Sequence, residues 1–341
     1  MESGVLIQVL REVVGRDRAK YLCGALVVHP DLAQDPGPKA SRAVIAQALN
    51  MLLFNNLMAR VPAAAAYVDD CLRDGTKVMH DHGAVRTVDL SGMGALPAGE
   101  EALTRILRPL GYTLNGVYPL ERLRMTGRSH AQADYPQDIA QFFISELHPD
   151  RFSPDFQAAV AGVTAGSTDP ITSEAHDLLK TLESDHALGT GDAIKLLPVL
   201  AGCFDRQHPE PALADYQTLL AESPEMAWIA TEGNAFNHAT DRVADVDEVA
   251  AEQKRLGRPM KEKVETSQSG RVRQTAFLAA RVQRAFRDAN GSTIQMEVPG
   301  SFYELITRLP LPEKEELDLS FDSSNAQAIF KMTGTQSAAA K

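Results

Sequence analysis

Three features of the sequence predict an α+β fold with an internal duplication. Residues 1–75 read as helical. The order strand, helix, strand, strand then occurs twice, once after Gly75 and again in the C-terminal third. Each copy opens on a histidine followed four residues later by an arginine: His82 and Arg86 in "DHGAVRT", His238 and Arg242 in "AFNHATDR".

The elements follow from local pattern. "SRAVIAQALNMLLFNNLMARV" has apolar residues at helical spacing, with Ser41 available as a cap. "KVMHDHGAVRTVDL" is short, rich in β-branched residues and preceded by glycine, which predicts a strand. "PAGEEALTRILRPLGY" is an amphipathic helix closing on Gly111. "GVYPLERLRMTG" and "IAQFFISELHP" are the two strands that follow. In the second copy "AFNHATDRV" is the strand and "DVDEVAAEQKRLG" the helix, closing on Gly257. "RQTAFLAARVQRAF" and "TIQMEVPGSFYELITRL" are its later strands.

These readings divide the chain into an N-terminal helical segment (1–75), a first β-rich module (76–150), a helical insertion packed on the sheet (151–230), a second β-rich module (231–335) and a fraying tail (336–341).

Composition narrows the function. The 341 residues are 44% hydrophobic and 23% charged, ordinary for a soluble globular chain long enough to bury a substantial core. A net charge of −11 argues against nucleic acid or an anionic membrane as partner, since both demand clustered positive charge. It does not argue against a small anion held by a few pocket arginines. Cys23, Cys71 and Cys203 lie far apart with no CxxC, so neither a disulfide framework nor a thiolate zinc site is expected. With no signal-peptide core and no bilayer-length apolar run, a cytoplasmic protein is expected. "GTGDA" (189–193) lacks the lysine and the strand context of a phosphate loop.

Strand side chains alternate faces, so His82, Ala84 and Arg86 share one face, as do His238, Thr240 and Arg242. A third run, "GSFYELITR", sets Phe302, Glu304, Ile306 and Arg308 on one face. In each, a candidate ligand precedes an arginine by four residues, roughly 13 Å along a strand. Such an arginine is out of reach of its own strand's ligand but can hold the far end of a small molecule bound there. Two histidines and a carboxylate make a facial triad that leaves open positions on an octahedral ion and suits iron(II), manganese, nickel or zinc. The plain alternatives are a hydrogen-bonded structural histidine at a strand end, a buried salt bridge for Glu304, and structural or solvated roles for Arg242 and Arg308. His80 shares the predicted face of His82, so either can be the ligand. His29, His130, His148, His176, His186 and His208 lack ligand spacing. Glu146 stands alone in the apolar run "FFISEL", where facing solvent, capping a pair and supporting the site are the open alternatives.

From about residue 75 to 335, the stretches "HGAVRT", "FFISEL", "AWIATEGNAFNHATDR", "VPGSFYELITR" and "DSSNAQAIF" resemble the 2-oxoadipate dioxygenase/decarboxylase family. The resemblance implies a vicinal oxygen chelate-like fold of paired βαβββ modules cupped around a metal. It implies iron(II) bound by His82, His238 and Glu304, a substrate-gripping Arg86, and a substrate contact near Ser324. The expected substrates are a small 2-oxo acid and O2. The expected reaction converts 2-oxoadipate to 2-hydroxyglutarate and CO2, as in lysine degradation. A redox-neutral glyoxalase-type isomerase or lyase, using a base such as Glu146, is the rival enzyme class. A non-catalytic small-ligand binder is the other alternative.

Overall fold

The computed structural model describes residues 4–322. The chain opens with helices α1 (Val5–Val14), α2 (Arg16–Ala25) and α3 (Pro30–Gln34), a short strand β1 (Lys39–Ser41), then α4 (Arg42–Arg60) and α5 (Pro62–Arg73). Ser41 caps α4 as expected, its hydroxyl accepting the Val44 amide at 3.2 Å. Fourteen of the 19 residues of α4 are buried, because this helix runs through the centre of the main core and not along its edge. No single helix among the described residues is long and apolar enough to cross a membrane.

The first module is β2 (His80–Val88), α6 (Glu101–Leu107), β3 (Tyr112–Leu120), β4 (Met125–Gln132) and β5 (Gln141–Leu147). Then come α7 (Pro154–Thr164), α8 (Ser173–Asp185), β6 (Ala187–Gly189), α9 (Thr190–Gly202), α10 (Leu213–Glu222) and α11 (Pro224–Glu232). The second module is β7 (His238–Arg242), α12 (Val246–Arg255), β8 (Glu265–Thr266), β9 (Val272–Ala276), the hairpin β10 (Arg281–Arg287) and β11 (Thr293–Pro299), and β12 (Phe302–Arg308).

Eight strands form one curled sheet in the order β3-β4-β5-β2-β7-β12-β9-β8. Its halves mirror each other. The first strand of each module pairs in parallel with its last, β2 with β5 and β7 with β12, and β2 meets β7 antiparallel at the centre. Removing the separate β10–β11 hairpin leaves βαβββ in both halves. The α+β class and the duplicated modules are therefore those expected.

Three predicted strands are each two. "GVYPLERLRMTG" breaks at a short 3-10 turn (Glu121–Leu123) and at Arg124, whose φ of 55° no strand tolerates. "RQTAFLAARVQRAF" divides between β9 and β10, and "TIQMEVPGSFYELITRL" divides at Gly300 between β11 and β12. Gly257 takes a φ of 75° just past α12, as a C′ glycine should. Helix α6 instead stops at Leu107, and Gly111 (φ 84°) turns the chain into β3.

Alternation gives the central strands two different faces. Val85, Phe142, Ile144, Ala239, Tyr303 and Leu305 join the main core beneath helices α1, α2, α4, α5, α8 and α9. Ala84, Arg86, Phe143, Ser145, His238 and Glu304 point the other way, into a cavity. A second core, around Phe156, Trp228, Phe286 and Val298, packs α7, α10 and α11 against the hairpin and the ends of β2 and β5.

Candidate metal centre

Register brings the three predicted ligands together. His82 on β2 lies opposite Thr240 on β7, and Thr240 lies opposite Glu304 on β12. His238 precedes Thr240 by two residues and so shares its face. One ligand atom from each of His82, His238 and Glu304 falls within 4.8 Å of the others. Glu304 Oε2 is 3.6 Å from His82 Nε2 and 3.3 Å from His238 Nε2. Thr240 ties the group together: its hydroxyl donates to Glu304 Oε2 at 3.0 Å and sits 3.1 Å from His82 Nε2.

Each imidazole is oriented by the residue just before it. His82 Nδ1 donates to Asp81 at 2.8 Å, and His238 Nδ1 donates to Asn237 Oδ1 at 3.2 Å. Both Nε2 atoms are thereby turned toward Glu304. Arg308, fully buried, grips Asp81 with three contacts of 2.9–3.0 Å. Burial opposes the Asp81 charge, but Arg308 and His82 hold its carboxyl well below the usual range. Burial likewise opposes charging of His82, yet Asp81 and Glu304 raise its pKa; His238, facing a neutral amide, is pushed down by burial to about 4.

This donor set fits a divalent ion. It offers two imidazole nitrogens and one carboxylate, with His238 already neutral at neutral pH. Glu304 Oε1 is buried with no hydrogen-bond partner among the described residues, an acceptor whose isolation a cation would relieve.

The structure separates His80 from His82. A bulge in β2 shifts its register against β7 between these two residues, so two-residue spacing no longer means one face. The His80 ring packs beside Phe54 and Phe236 on the core side, while His82 faces Phe321 and His238. Glu146 is also not where a base would stand. Its neighbour Ser145 faces the cavity, and Glu146 points to the opposite side of β5, accepting from Arg128 (2.9 Å) and the Glu100 amide (2.7 Å).

Arg86 lines the cavity on the same wall as His82 and is 1% exposed. Its guanidinium lies 5.0 Å from the Trp228 ring centroid. Burial brings its pKa down to about 10 against the pull of Glu225, so it stays charged at neutral pH. The other two arginines of the repeated pattern do not line the cavity. Arg308 serves Asp81, and Arg242 donates to Gln137 O at 2.6 Å with Asp81 3.8 Å away. The cavity also has Phe143, Ser145, Asn237, Gln274, Phe321 and Asp322 in its wall. Phe321 belongs to a strap laid over the site, with Arg308 donating to Asp318 O (2.8 Å) and Ser320 O (2.7 Å). Ser324 lies outside the described residues. Asp81 and Asn237 escape a sequence reading, adjacency to a candidate ligand being their only signal; strand alternation places Thr240 on the face of His238 but does not announce its contact with Glu304.

Paired βαβββ modules in a cupped sheet, with two histidines and a glutamate gathered at its floor, define a glyoxalase-like architecture with a candidate metal centre. The chain belongs to the 2-oxoadipate dioxygenase/decarboxylase family, whose model matches residues 52–331. It is 55% identical to a glyoxalase superfamily protein of Ralstonia eutropha JMP134, over 93% of this chain and 98% of that one, with a TM-score of 0.90. A hydroxyglutarate synthase from Oryza sativa, solved in complex with 2-oxoadipate, shares the fold at 20% identity over 91% of this chain and 98% of that chain, with a TM-score of 0.68. The chloroplastic 2-oxoadipate dioxygenase/decarboxylase of Arabidopsis thaliana is 24% identical over 293 residues, 76% of this chain and 69% of that protein.

Proposed function

We propose that this chain is an iron(II)-dependent dioxygenase and decarboxylase that turns 2-oxoadipate, or a closely related 2-oxo acid, and O2 into 2-hydroxyglutarate and CO2. The observation that carries the reading is the meeting of His82, His238 and Glu304 in a cavity whose wall also bears the buried Arg86. Family membership supports it.

His82, His238 and Glu304 would hold the ion on one side, leaving its cavity side for ligands. Iron(II) bound there would supply the redox chemistry that joins O2 reduction to loss of the C1 carboxylate. The reaction balances. The C1 carboxylate leaves as CO2 with its own two oxygens, one atom of O2 completes a new carboxylate at C2, and the other becomes the new hydroxyl. The protein's own part is binding and orientation. Arg86 meets a carboxylate with a planar, permanently charged fork, which suits the distal end of a dicarboxylate. Phe143 and Phe321 line the cavity and would offer apolar surface to the carbon chain, limiting the access of water. The redox-neutral rival is disfavoured by the position of Glu146, which is already committed to Arg128 and the Glu100 amide.

The test separates metal from substrate. His82→Ala, His238→Ala and Glu304→Ala are each expected to lose stoichiometric iron. Arg86→Ala is expected to retain iron and to bind 2-oxoadipate roughly tenfold more weakly or worse. Full iron occupancy in one of the alanine variants removes that residue from the ligand set, and wild-type affinity in Arg86→Ala removes Arg86 from the substrate site.

A further inference from the structure

We propose that Asn237 is a substrate-binding residue, its amide Nδ2 reserved for an oxygen at the 2-oxo-acid head of the ligand; this rests on the function proposed above. His238 Nε2 faces Glu304 at 3.3 Å, so Nδ1 must carry the ring proton if Nε2 is to ligate. That proton needs an acceptor, and Asn237 Oδ1 stands 3.2 Å away. The requirement fixes which end of the amide is oxygen. It leaves Nδ2, with two hydrogens, on the other side.

Asn237 is 2% exposed, and Nδ2 has no hydrogen-bond partner among the described residues. Leaving a buried amide donor unsatisfied costs free energy, which a ligand oxygen would recover. Asn237 forms part of the same cavity wall as Arg86 and the three candidate ligands. Its backbone amide donates to Ala84 O at 2.8 Å, which anchors it beside the Ala84–Arg86 stretch of β2. It thus lies next to His238, within reach of the ligand's head, while Arg86 takes the tail.

The residue type has a further consequence. An aspartate would orient His238 equally well, as Asp81 does for His82. It would also set a negative charge against an anionic ligand and remove the donor. An asparagine keeps the orienting oxygen and adds the donor without the charge.

Asn237→Asp discriminates, because it preserves the acceptor for His238 and changes only the other half of the side chain. Calorimetry with Co2+ as the probe metal, followed by anaerobic titration of the Co2+-loaded protein with 2-oxoadipate and with 2-oxohexanoate, reads both steps. The expected result is Co2+ affinity equal to or tighter than wild type, with both oxo acids bound roughly tenfold more weakly or worse. An equal loss for 2-oxohexanoate, which lacks the distal carboxylate, locates the contact at the head. Unchanged oxo-acid affinity, a loss confined to 2-oxoadipate, or loss of Co2+ itself overturns the proposal. Wild-type protein that binds Co2+ but neither oxo acid overturns the function on which it rests, whatever the variant does.

Discussion

Asp81 and Asn237 occupy equivalent places, each the residue before a candidate ligand and each accepting its Nδ1 proton. One is charged and the other neutral, so the two imidazoles differ: His82 is the more basic and His238 is held neutral. A carboxylate behind a ligating histidine fixes the ring and strengthens it as a donor. Asp81→Asn should therefore lower metal affinity roughly 10- to 100-fold. Metal titration of the folded variant measures this, and an affinity equal to wild type would show that Asp81 serves only the Arg308 ion pair. The three candidate ligands could be named from the sequence, because strand alternation aligns each with its neighbours, and the structure brings them within 4.8 Å of one another. Asp81 could not, since alternation sends it to the other face, yet at the register shift of β2 its carboxylate meets His82 and Arg308. The bulge also undid the expected equivalence of His80 and His82, and nothing in "HDHG" announces it.

At the level of elements, the centre depends on how closely β2 approaches the segment that leads from α11 into β7. Gly83 sits between His82 and Ala84, and a Cβ there would come within 2.2–2.8 Å of the Phe236 ring. That ring also packs against His80 and Phe142, so it has little room to move. Gly83→Ala should destabilise the fold by about 1–3 kcal/mol through overpacking. Urea unfolding would measure it; a midpoint equal to wild type would mean that Phe236 is free to shift. The elements themselves were partly legible. Each module's leading strand and helix were legible, although only α12 ends at its expected glycine and α6 stops at Leu107. The later strands merged in sequence because Arg124 breaks its run with a left-handed conformation that arginine does not signal. The two-residue β8 is too short to show periodicity. The ion pair from Arg308 to Asp81 joins residues 227 positions apart, beyond the reach of any local pattern.

The whole molecule carries its own pH signature. His130, buried in β4, has its pKa pushed down to about 4 by burial, with Arg128 and Arg108 adding to the effect. Unfolded, it titrates near 6.5, so between these values the unfolded chain binds the extra proton and stability falls as pH falls. The contribution is up to about 3 kcal/mol for a shift of this size. Urea midpoints at pH 7 and pH 5 should therefore differ less in His130→Gln than in wild type; an equal slope would contradict the shift. Duplication was the most legible property at this scale, because paired histidine-arginine strands and paired helices recur in the same order. The candidate site draws on all three scales: a register that gathers His82, His238 and Glu304, an arginine on the same wall, and a cupped sheet that encloses them.

The central claim is that a 2-oxo acid is consumed together with O2, and its most direct test is oxygen uptake by iron(II)-loaded protein with and without 2-oxoadipate, with 2-hydroxyglutarate assayed in parallel. The account predicts substrate-dependent uptake with one 2-hydroxyglutarate formed per O2. Iron-loaded protein that binds 2-oxoadipate but consumes no oxygen would contradict it.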